Sequence, residues 1–253
     1  MKSTRKLLTL LLLVSIVVLS VSTIGITLAS LNVKSDELNA SFEMYHTGIT
    51  LNENGKKLAW RNYENEAWNV SADAELLTEI KGNIRYGVTY PEELTVTNSG
   101  QIDEYVRVTI YKYWKNEKGE KDQTLDPNLI NIKLTDDKKW VIDKEYSGEI
   151  ERTVMYYTLP LKGTDSMKGG ETTPAFALEF SLDPTIKTFV NQKETVDEKT
   201  GYITVTNTYK YDGKELCIEV QADAVQTHNA EDAIRSAWGR KVKIAGDGTL
   251  SLE

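Results

Sequence analysis

The sequence has few of the residues on which most enzymatic and metal sites are built. Its 253 residues include one cysteine, Cys217, and two histidines, His46 and His228. A single cysteine excludes an internal disulfide framework, and its place in the alternating run 216–224 predicts a small, half-buried strand residue rather than a reactive thiol. Neither histidine is followed by the glutamate of an H-E-x-x-H zinc helix.

Other catalytic signatures are missing as well. The chain has no C-x-x-C pair, no G-x-S-x-G elbow, no phosphate-binding G-x-x-x-x-G-K-[ST] loop and no G-x-G-x-x-G run. A Ser-His-Asp triad assembles across a fold, so spacing alone does not exclude one, but no pattern points to it. Paired acids such as Glu92-Glu93 are typical of solvated turns. The sequence therefore predicts no enzyme, no cofactor and no metal site.

Basic residues are scarce relative to acidic ones, and the formal net charge is −8. Three of the 30 basic residues and no acidic residue lie in 1–29, so the remainder carries 27 basic against 38 acidic residues. A surface of this sign repels phosphates, which excludes nucleic acid as an expected partner. The content of 40% hydrophobic and 27% charged residues is that of a globular protein with a real core.

The N-terminus carries a targeting signal. Three basic residues lie within 1–6, an apolar run covers 7–21, and small or polar residues fill most of 22–30. This order of basic, apolar and small regions is that of a secretory signal peptide. We expect cleavage after Ala29, with signal peptidase as a partner during export and an extracellular or cell-surface location for the product.

The extracellular form is expected to begin at or near Ser30. The alternative is a retained anchor, because the apolar run is long enough to span a bilayer of about 30 Å. In that case residues 1–29 would be the part that contacts the membrane. N-terminal sequencing of the secreted protein separates the two, and a product that begins at Met1 would establish the anchor.

Short runs of alternating apolar and polar residues recur through the rest of the chain. In the run 105–113, Val106, Val108 and Ile110 point to one side and polar residues to the other. A period of two with one apolar face predicts half-buried antiparallel strands. The other runs are 129–134, 175–182, 202–208 and 214–224. Turn residues separate the runs, and Asp212-Gly213 predicts a hairpin between the last two.

Many short strands with frequent turns predict an all-β fold, a jelly-roll-like antiparallel β-sandwich with one or two short helices. Residues 30–253 are expected to form one such domain. An excursion near 55–90 interrupts the alternation, and we interpret 71–80 as a short helix or an ordered excursion. A second helix is predicted near 229–238, with Asn229 as its cap, Gly239 as its stop and an apolar stripe that packs on a sheet.

Three stretches of the sequence together resemble a known group of exported proteins. The first runs from residue 27 to 53 and ends in G-I-T-L-N-E. The second is L-T-V-T-N-S-G at 94–100 followed by E-Y-V-R-V at 104–108, and the third is 220–226 followed by the predicted helix. The residues that carry the second and third stretches include Asn98, Gly100, Tyr105, Arg107, Asn229, Trp238 and Gly239. Together the three stretches resemble the TasA/camelysin-like exported proteins of Gram-positive bacteria. The stretches near 55–90 and 110–200 have no counterpart in this resemblance.

The resemblance implies a jelly-roll fold, a signal peptide cut by a SipW-type signal peptidase and, as for TasA, assembly into biofilm-matrix fibres by strand addition. The expected function is therefore a secreted or cell-surface structural protein, a matrix or surface-fibre subunit that associates with itself. One alternative is a surface adhesion or binding module that does not polymerise. Another is a secreted camelysin-type metallopeptidase, which the missing zinc motif disfavours.

The candidate donor strand for such an assembly is the segment 30–42. Its named residues are Ser30, Leu31, Val33 and Leu38, and no turn signal occurs before Asn39. A free terminal strand can add to an exposed sheet edge through main-chain hydrogen bonds. The alternative is that the segment pairs within its own sheet or stays frayed.

Overall fold

The computed structural model describes residues 47–64, 67–71, 75–148, 150–164 and 169–253, and these belong to one compact unit. The strands in chain order are β1 (Thr47–Glu53), β2 (Lys56–Glu64), β3 (Ala67–Ser71), β4 (Thr89–Asn98), β5 (Glu104–Lys115), β6 (Ile130–Leu134), β7 (Trp140–Ile142), β8 (Arg152–Tyr157), β9 (Ala177–Leu182), β10 (Val190–Val196), β11 (Ile203–Tyr209), β12 (Glu215–Gln226), β13 (Val242–Ile244) and β14 (Leu250–Leu252). The α-helix of this part of the chain is α1 (Ala230–Trp238), and two 3-10 helices cover Pro127–Leu129 and Pro184–Thr188.

Ten of the strands form two antiparallel sheets. The large sheet has the strand order β3-β2-β1-β4-β9-β6, and the small sheet has the order β12-β5-β8-β7. The hairpins β10–β11 and β13–β14 form two further sheets of two strands each. The pairing of β4 with β9 encloses that of β5 with β8 along the chain, as in the folded hairpin of a jelly roll.

The main core lies between the large and the small sheet. Leu94 and Val96 of β4 share it with Val106, Val108 and Ile110 of β5, and all five are buried. Because side chains alternate along a strand, the residues between them lie on the opposite face. Burying a side chain of this size stabilises the fold by about 1.5–3 kcal/mol. The fold is therefore an all-β antiparallel sandwich, as predicted.

Helix α1 covers the outer face of the small sheet. Its buried stripe, Ala230, Ile234 and Trp238, packs with Tyr105 and Tyr156, whose ring centroid lies 5.6 Å from that of Trp238. This confirms the predicted helix and its packing on a sheet. Among the described residues, no helix combines the length and the apolar character that crossing a bilayer requires.

The two ends of α1 differ from each other in how closely they follow the prediction. Gly239 ends the helix with φ 69°, a left-handed conformation that glycine adopts without a Cβ penalty. Asn229 does precede the helix, but its side chain makes no capping hydrogen bond, and its φ is 50°. Its main-chain carbonyl accepts the N–H of Ala233 instead. Asn229 therefore occupies the predicted N-cap position, but its side chain does not cap the helix.

Two local predictions are corrected by the strand pairing. Of the two interpretations of 71–80, the short helix does not form in the described residues there, because Ser71 ends β3 and 75–80 are irregular with a turn at 78–79; the ordered excursion is the interpretation that fits these residues. Much of the excursion near 55–90 instead extends the large sheet by β2 and β3. Asp212-Gly213 does form a turn, but β11 pairs with β10 and β12 pairs with β5, so the predicted hairpin is wrong.

Candidate functional site: an open strand edge

The large sheet and the small sheet do not have their edges at the same place. β12 is the edge strand of the small sheet and lies against β1 of the large sheet. The large sheet continues past that point by two more strands, β2 and β3. In the described part of the chain, the small sheet has no strand that faces this overhang. The result is a groove between the free edge of β12 and the overhang, which we call the β12 groove.

The hydrogen-bond pattern shows which main-chain groups face the β12 groove. The N–H of Thr227 donates to the carbonyl of Asp103 at 3.1 Å, in the register of the β12–β5 ladder. Antiparallel ladders bond alternate residues, so the odd-numbered residues of β12 pair with β5. The even-numbered residues therefore direct their N–H and C=O groups into the groove. They are Leu216, Ile218, Val220, Ala222, Ala224 and Gln226.

Three adjoining cavities, of about 600, 440 and 390 Å3, follow the whole length of β12. Their opposite walls come from the inner faces of β1, β2 and β3. The residues of those strands that line at least one of the three cavities include Ile49, Leu51, Leu58, Ala59, Arg61, Trp68 and Val70. The groove thus combines a free strand edge with a mostly apolar wall.

The overhanging wall exposes side chains that would be core residues in a closed sandwich. Trp68 and Val70 are 53% and 57% exposed. The register places both on the same face as Ile49, which packs on the main core. The Arg61 guanidinium lies 4.4 Å from the centroid of the Trp68 ring, and the Tyr63 ring lies 5.2 Å from it. An exposed apolar face of this kind is typical of an interaction surface.

One end of the β12 groove contains a buried acid. Glu104 is 5% exposed, and one of its carboxyl oxygens has no hydrogen-bond partner among the described residues. Burial raises the pKa of Glu104 to about 8, although a hydrogen bond with the main chain of Gly48 acts in the opposite direction. The carboxyl group is therefore mostly protonated at neutral pH and adds no negative charge to this end of the groove.

Several residues of the resemblance lie at the same end of the groove. The Arg107 guanidinium bonds the Asp223 carboxylate of β12 at 2.6 Å and lies 5.1 Å from the Trp238 ring centroid. The Tyr105 hydroxyl donates to the carbonyl of Gly248 at 2.7 Å. These contacts bind α1 and the C-terminal strands to the small sheet, and Arg107, Asp223 and Trp238 also line the cavity at this end of the groove.

Asn98 is the last residue of β4, and Gly100 lies in the loop between β4 and β5. The Asn98 side chain is fully buried; its amide donates to the carbonyls of Ile102 and Leu161, at 2.7 and 2.9 Å. Its carboxamide oxygen accepts the N–H of Gly100 at 2.8 Å. This is an Asx turn whose amide also bridges to a distant strand connection, so Asn98 has a structural role here.

The remaining predicted residues are more scattered. Ser30, Leu31, Val33 and Leu38 of the candidate donor strand lie outside the described residues, as do His46 and the signal segment 1–29. His228 is exposed in the turn before α1. Cys217 is a half-buried free cysteine on β12, as its strand pattern predicted.

The described residues contain no cluster of three or more histidine, cysteine, aspartate or glutamate side chains arranged to hold a metal ion. Comparison of the chain with family models, with curated proteins and with solved structures gave no match. The functional interpretation therefore depends on the geometry of the β12 groove and on the sequence resemblance.

Sequence reasoning did not find the β12 groove. The alternation of 214–224 predicts β12 itself but not its place at a sheet edge, since strand order depends on long-range pairing. The overhang was not predicted either, because Tyr63, Trp68 and Val70 lie within a stretch that we interpreted as an excursion. Trp68 and Val70, two large apolar residues at a spacing of two, are the signal that could have indicated it.

Proposed function

We propose that the protein is a secreted or cell-surface structural subunit that forms fibres when the β12 groove accepts an extended strand from another copy. The observation that supports this proposal most directly is the free edge of β12 opposite an exposed apolar overhang. A strand laid along β12 would bond the outward N–H and C=O groups of its even-numbered residues. It would also cover Trp68 and Val70 and so close the sandwich.

The candidate donor is the segment that begins at Ser30. Residues 30–46 precede β1 and outnumber the twelve residues of β12, so an extended segment is long enough to follow the whole edge. Leu31 and Val33 are two residues apart, so they would point to the same side of such a strand. On that side they would contact the apolar wall. The resemblance to TasA/camelysin-like proteins supports the same mode of assembly.

Donation from one copy to the next is a head-to-tail contact. Each copy would offer a donor segment at one place and a groove at another, so the contact does not close on itself and produces filaments. If the segment filled the groove of its own chain instead, the protein would be a monomer. A surface module that binds other ligands in the groove would also remain monomeric.

Two variants remove the two halves of the proposed contact. Ala222→Pro removes an outward N–H of β12, while the N–H groups that pair with β5 are retained. Ala222→Ser changes the same side chain, keeps the N–H and is the matched control. We expect electron microscopy to show fibres for the wild type and for Ala222→Ser, and none for Ala222→Pro. Deletion of Ser30–Glu37 should also leave a folded monomer.

Mixing the two defective proteins tests donation between copies directly. The deletion variant retains an intact groove, and Ala222→Pro retains an intact donor segment. We expect the mixture to form a one-to-one complex that does not grow, detected by light scattering after size-exclusion chromatography. Fibres from the deletion variant would contradict the proposal, and so would a mixture that stays monomeric while the wild type polymerises.

A further inference from the structure

The hairpin formed by β10 and β11 projects from the sandwich, and we call residues 190–209 the projecting hairpin. All fourteen strand residues are exposed. Within the described residues, its two strands pair only with each other. An isolated pair of strands has marginal stability in water unless one of its faces is covered. Among the described residues, the projecting hairpin is therefore a surface without a partner strand.

The register gives the projecting hairpin two unlike faces. Residues directly opposite each other in an antiparallel pair share a face. One face carries Val190, Gln192, Glu194, Val196, Ile203, Val205, Asn207 and Tyr209, and the other carries Asn191, Lys193, Thr195, Thr204, Thr206 and Thr208. Every apolar residue of the two strands lies on the first face, which we call the apolar face. Ile203 is 63% exposed and Tyr209 is 52% exposed.

The residues of β11 on the apolar face are also the ones whose main-chain N–H and C=O groups do not pair with β10. The N–H of Lys210 donates to the carbonyl of Phe189, and the N–H of Asp197 donates to that of Tyr202. Both bonds belong to the same alternating set of the ladder, so Thr204, Thr206 and Thr208 also pair with β10. The residues between them therefore point their main-chain groups outward. They are Ile203, Val205, Asn207 and Tyr209.

The edge of β11 lacks the features that keep edge strands from pairing. It has no charged residue, no proline and no bulge. Edge strands in soluble proteins are usually protected by such features. β10 differs, because antiparallel self-pairing about its centre would place Lys193 opposite a second Lys193. Of the two edges of this hairpin, β11 is therefore the one at which pairing with a second copy brings no like charges together.

We propose that two copies of the protein pair through β11, antiparallel, about a two-fold axis at Thr206. This register bonds Ile203 of one copy with Tyr209 of the other and Val205 with Asn207, and these are the residues whose main-chain groups point outward. Thr206 then faces the second Thr206 at the non-hydrogen-bonded centre. The product is a four-stranded sheet in which the two apolar faces are continuous.

A second copy fits this edge better than an unrelated partner does. When β11 pairs with a copy of itself in this register, the outward main-chain groups of one strand meet those of the other, and the two apolar faces lie on the same side of the sheet. The projecting hairpin also holds two lysines against three acidic residues, so two copies of an otherwise acidic protein repel each other little there. One strand pair is smaller than a stable interface of about 1,200 Å2, so the contact is weak and depends on concentration. It does not require the β12 groove.

Disulfide trapping tests the contact and its register. A non-hydrogen-bonded antiparallel pair holds its Cα atoms about 4.5 Å apart, which a disulfide can bridge. Thr206→Cys is introduced in a Cys217→Ser background, and the exported protein is treated with a mild oxidant. We expect a covalent dimer on a non-reducing gel. Thr195→Cys in the same background is equally exposed on the polar face but lies on β10, and we expect no dimer from it.

A second substitution separates strand pairing from chance collision. Asn207→Pro added to Thr206→Cys removes an outward N–H but none of the hydrogen bonds within the hairpin, and we expect loss of the dimer. Asn207→Ala keeps the N–H, and the dimer should persist. Equal cross-linking of the Thr206→Cys and Thr195→Cys proteins, or a dimer that survives Asn207→Pro, would overturn the proposal. Because the readout is a defined disulfide, it is independent of whether strands enter the β12 groove.

Discussion

Replacement of Asn98 by aspartate is expected to destabilise the protein by about 3–5 kcal/mol at pH 7, the usual effect of an unpaired buried charge. The Asn98 amide donates to the carbonyls of Ile102 and Leu161. A carboxylate cannot donate, so three acceptor groups would then face one another in a fully buried place. Urea unfolding measures the loss.

The pH dependence of the loss shows whether the negative charge of the introduced carboxylate causes it. Protonation restores one O–H donor to the introduced carboxyl group, so the loss should become smaller as the pH falls towards 4. Asn191→Asp makes the same chemical change on exposed β10 and is expected to cost less than about 0.5 kcal/mol. Equal unfolding free energies for the two variants at pH 7 would contradict the bridging role of Asn98.

Stability is expected to fall as the pH rises from about 4.5 to about 8, because two buried glutamates hold protons in the folded state. Burial raises the pKa of Glu104 to about 8. Burial also raises the pKa of Glu92 to about 8, and a hydrogen bond with Glu53 raises it further. Glu53 in turn accepts the N–H of Leu77, which holds the 75–80 segment against the large sheet.

The sign follows from proton linkage. Both pKa values are raised above the ordinary glutamate value of 4.5, so between pH 4.5 and 8 the folded state binds more protons than the unfolded state. The stability associated with these groups is therefore fully present below pH 4.5 and is lost as the pH rises to about 8. Each tenfold difference in proton affinity between the two states corresponds to about 1.4 kcal/mol, so each of the two groups contributes a loss of a few kcal/mol.

Glutamine substitutions test this directly. We expect the double variant Glu92→Gln/Glu104→Gln to have a flatter profile of melting temperature against pH between 4.5 and 8 than the wild type. Glu194→Gln, on the exposed face of β10, makes the same chemical change and should leave the slope as it is. Parallel profiles for the wild type and the double variant would show that neither glutamate is the cause.

Local order along the chain could be predicted from local sequence. The alternation around Val106, Val108 and Ile110 was enough to predict β5, because a period of two matches the pleat of a strand. The spacing of Ala230, Ile234 and Trp238, followed by Gly239, predicted α1 in the same way. The two-sided pattern of these strands also predicted the all-β sandwich, since an apolar strand face must be buried against a second sheet.

The candidate site depended on contacts that local patterns do not encode. β11 and β12 have similar alternation and are joined by a turn at Asp212-Gly213. One nevertheless becomes an exposed hairpin strand and the other an edge of the sandwich, because each pairs with a different strand. Local sequence likewise identifies Asn98 as a turn residue, but its bonds to Ile102 and Leu161 depend on the folded connection between the sheets.

The sequence by itself determined that this chain makes strands, where five of the fourteen described strands lie and where its single α-helix among the described residues ends. Only the tertiary structure decided which strand edges stay open and which carboxyl groups are buried. Glu104 illustrates the difference: in the sequence it is one more charged residue at a strand end. In the fold, the packing of β1 against β12 removes it from water, and the large sheet extends past the small one to leave the groove beside it. Edges and burial arise from long-range pairing, whereas strands and helices arise from neighbours in the chain.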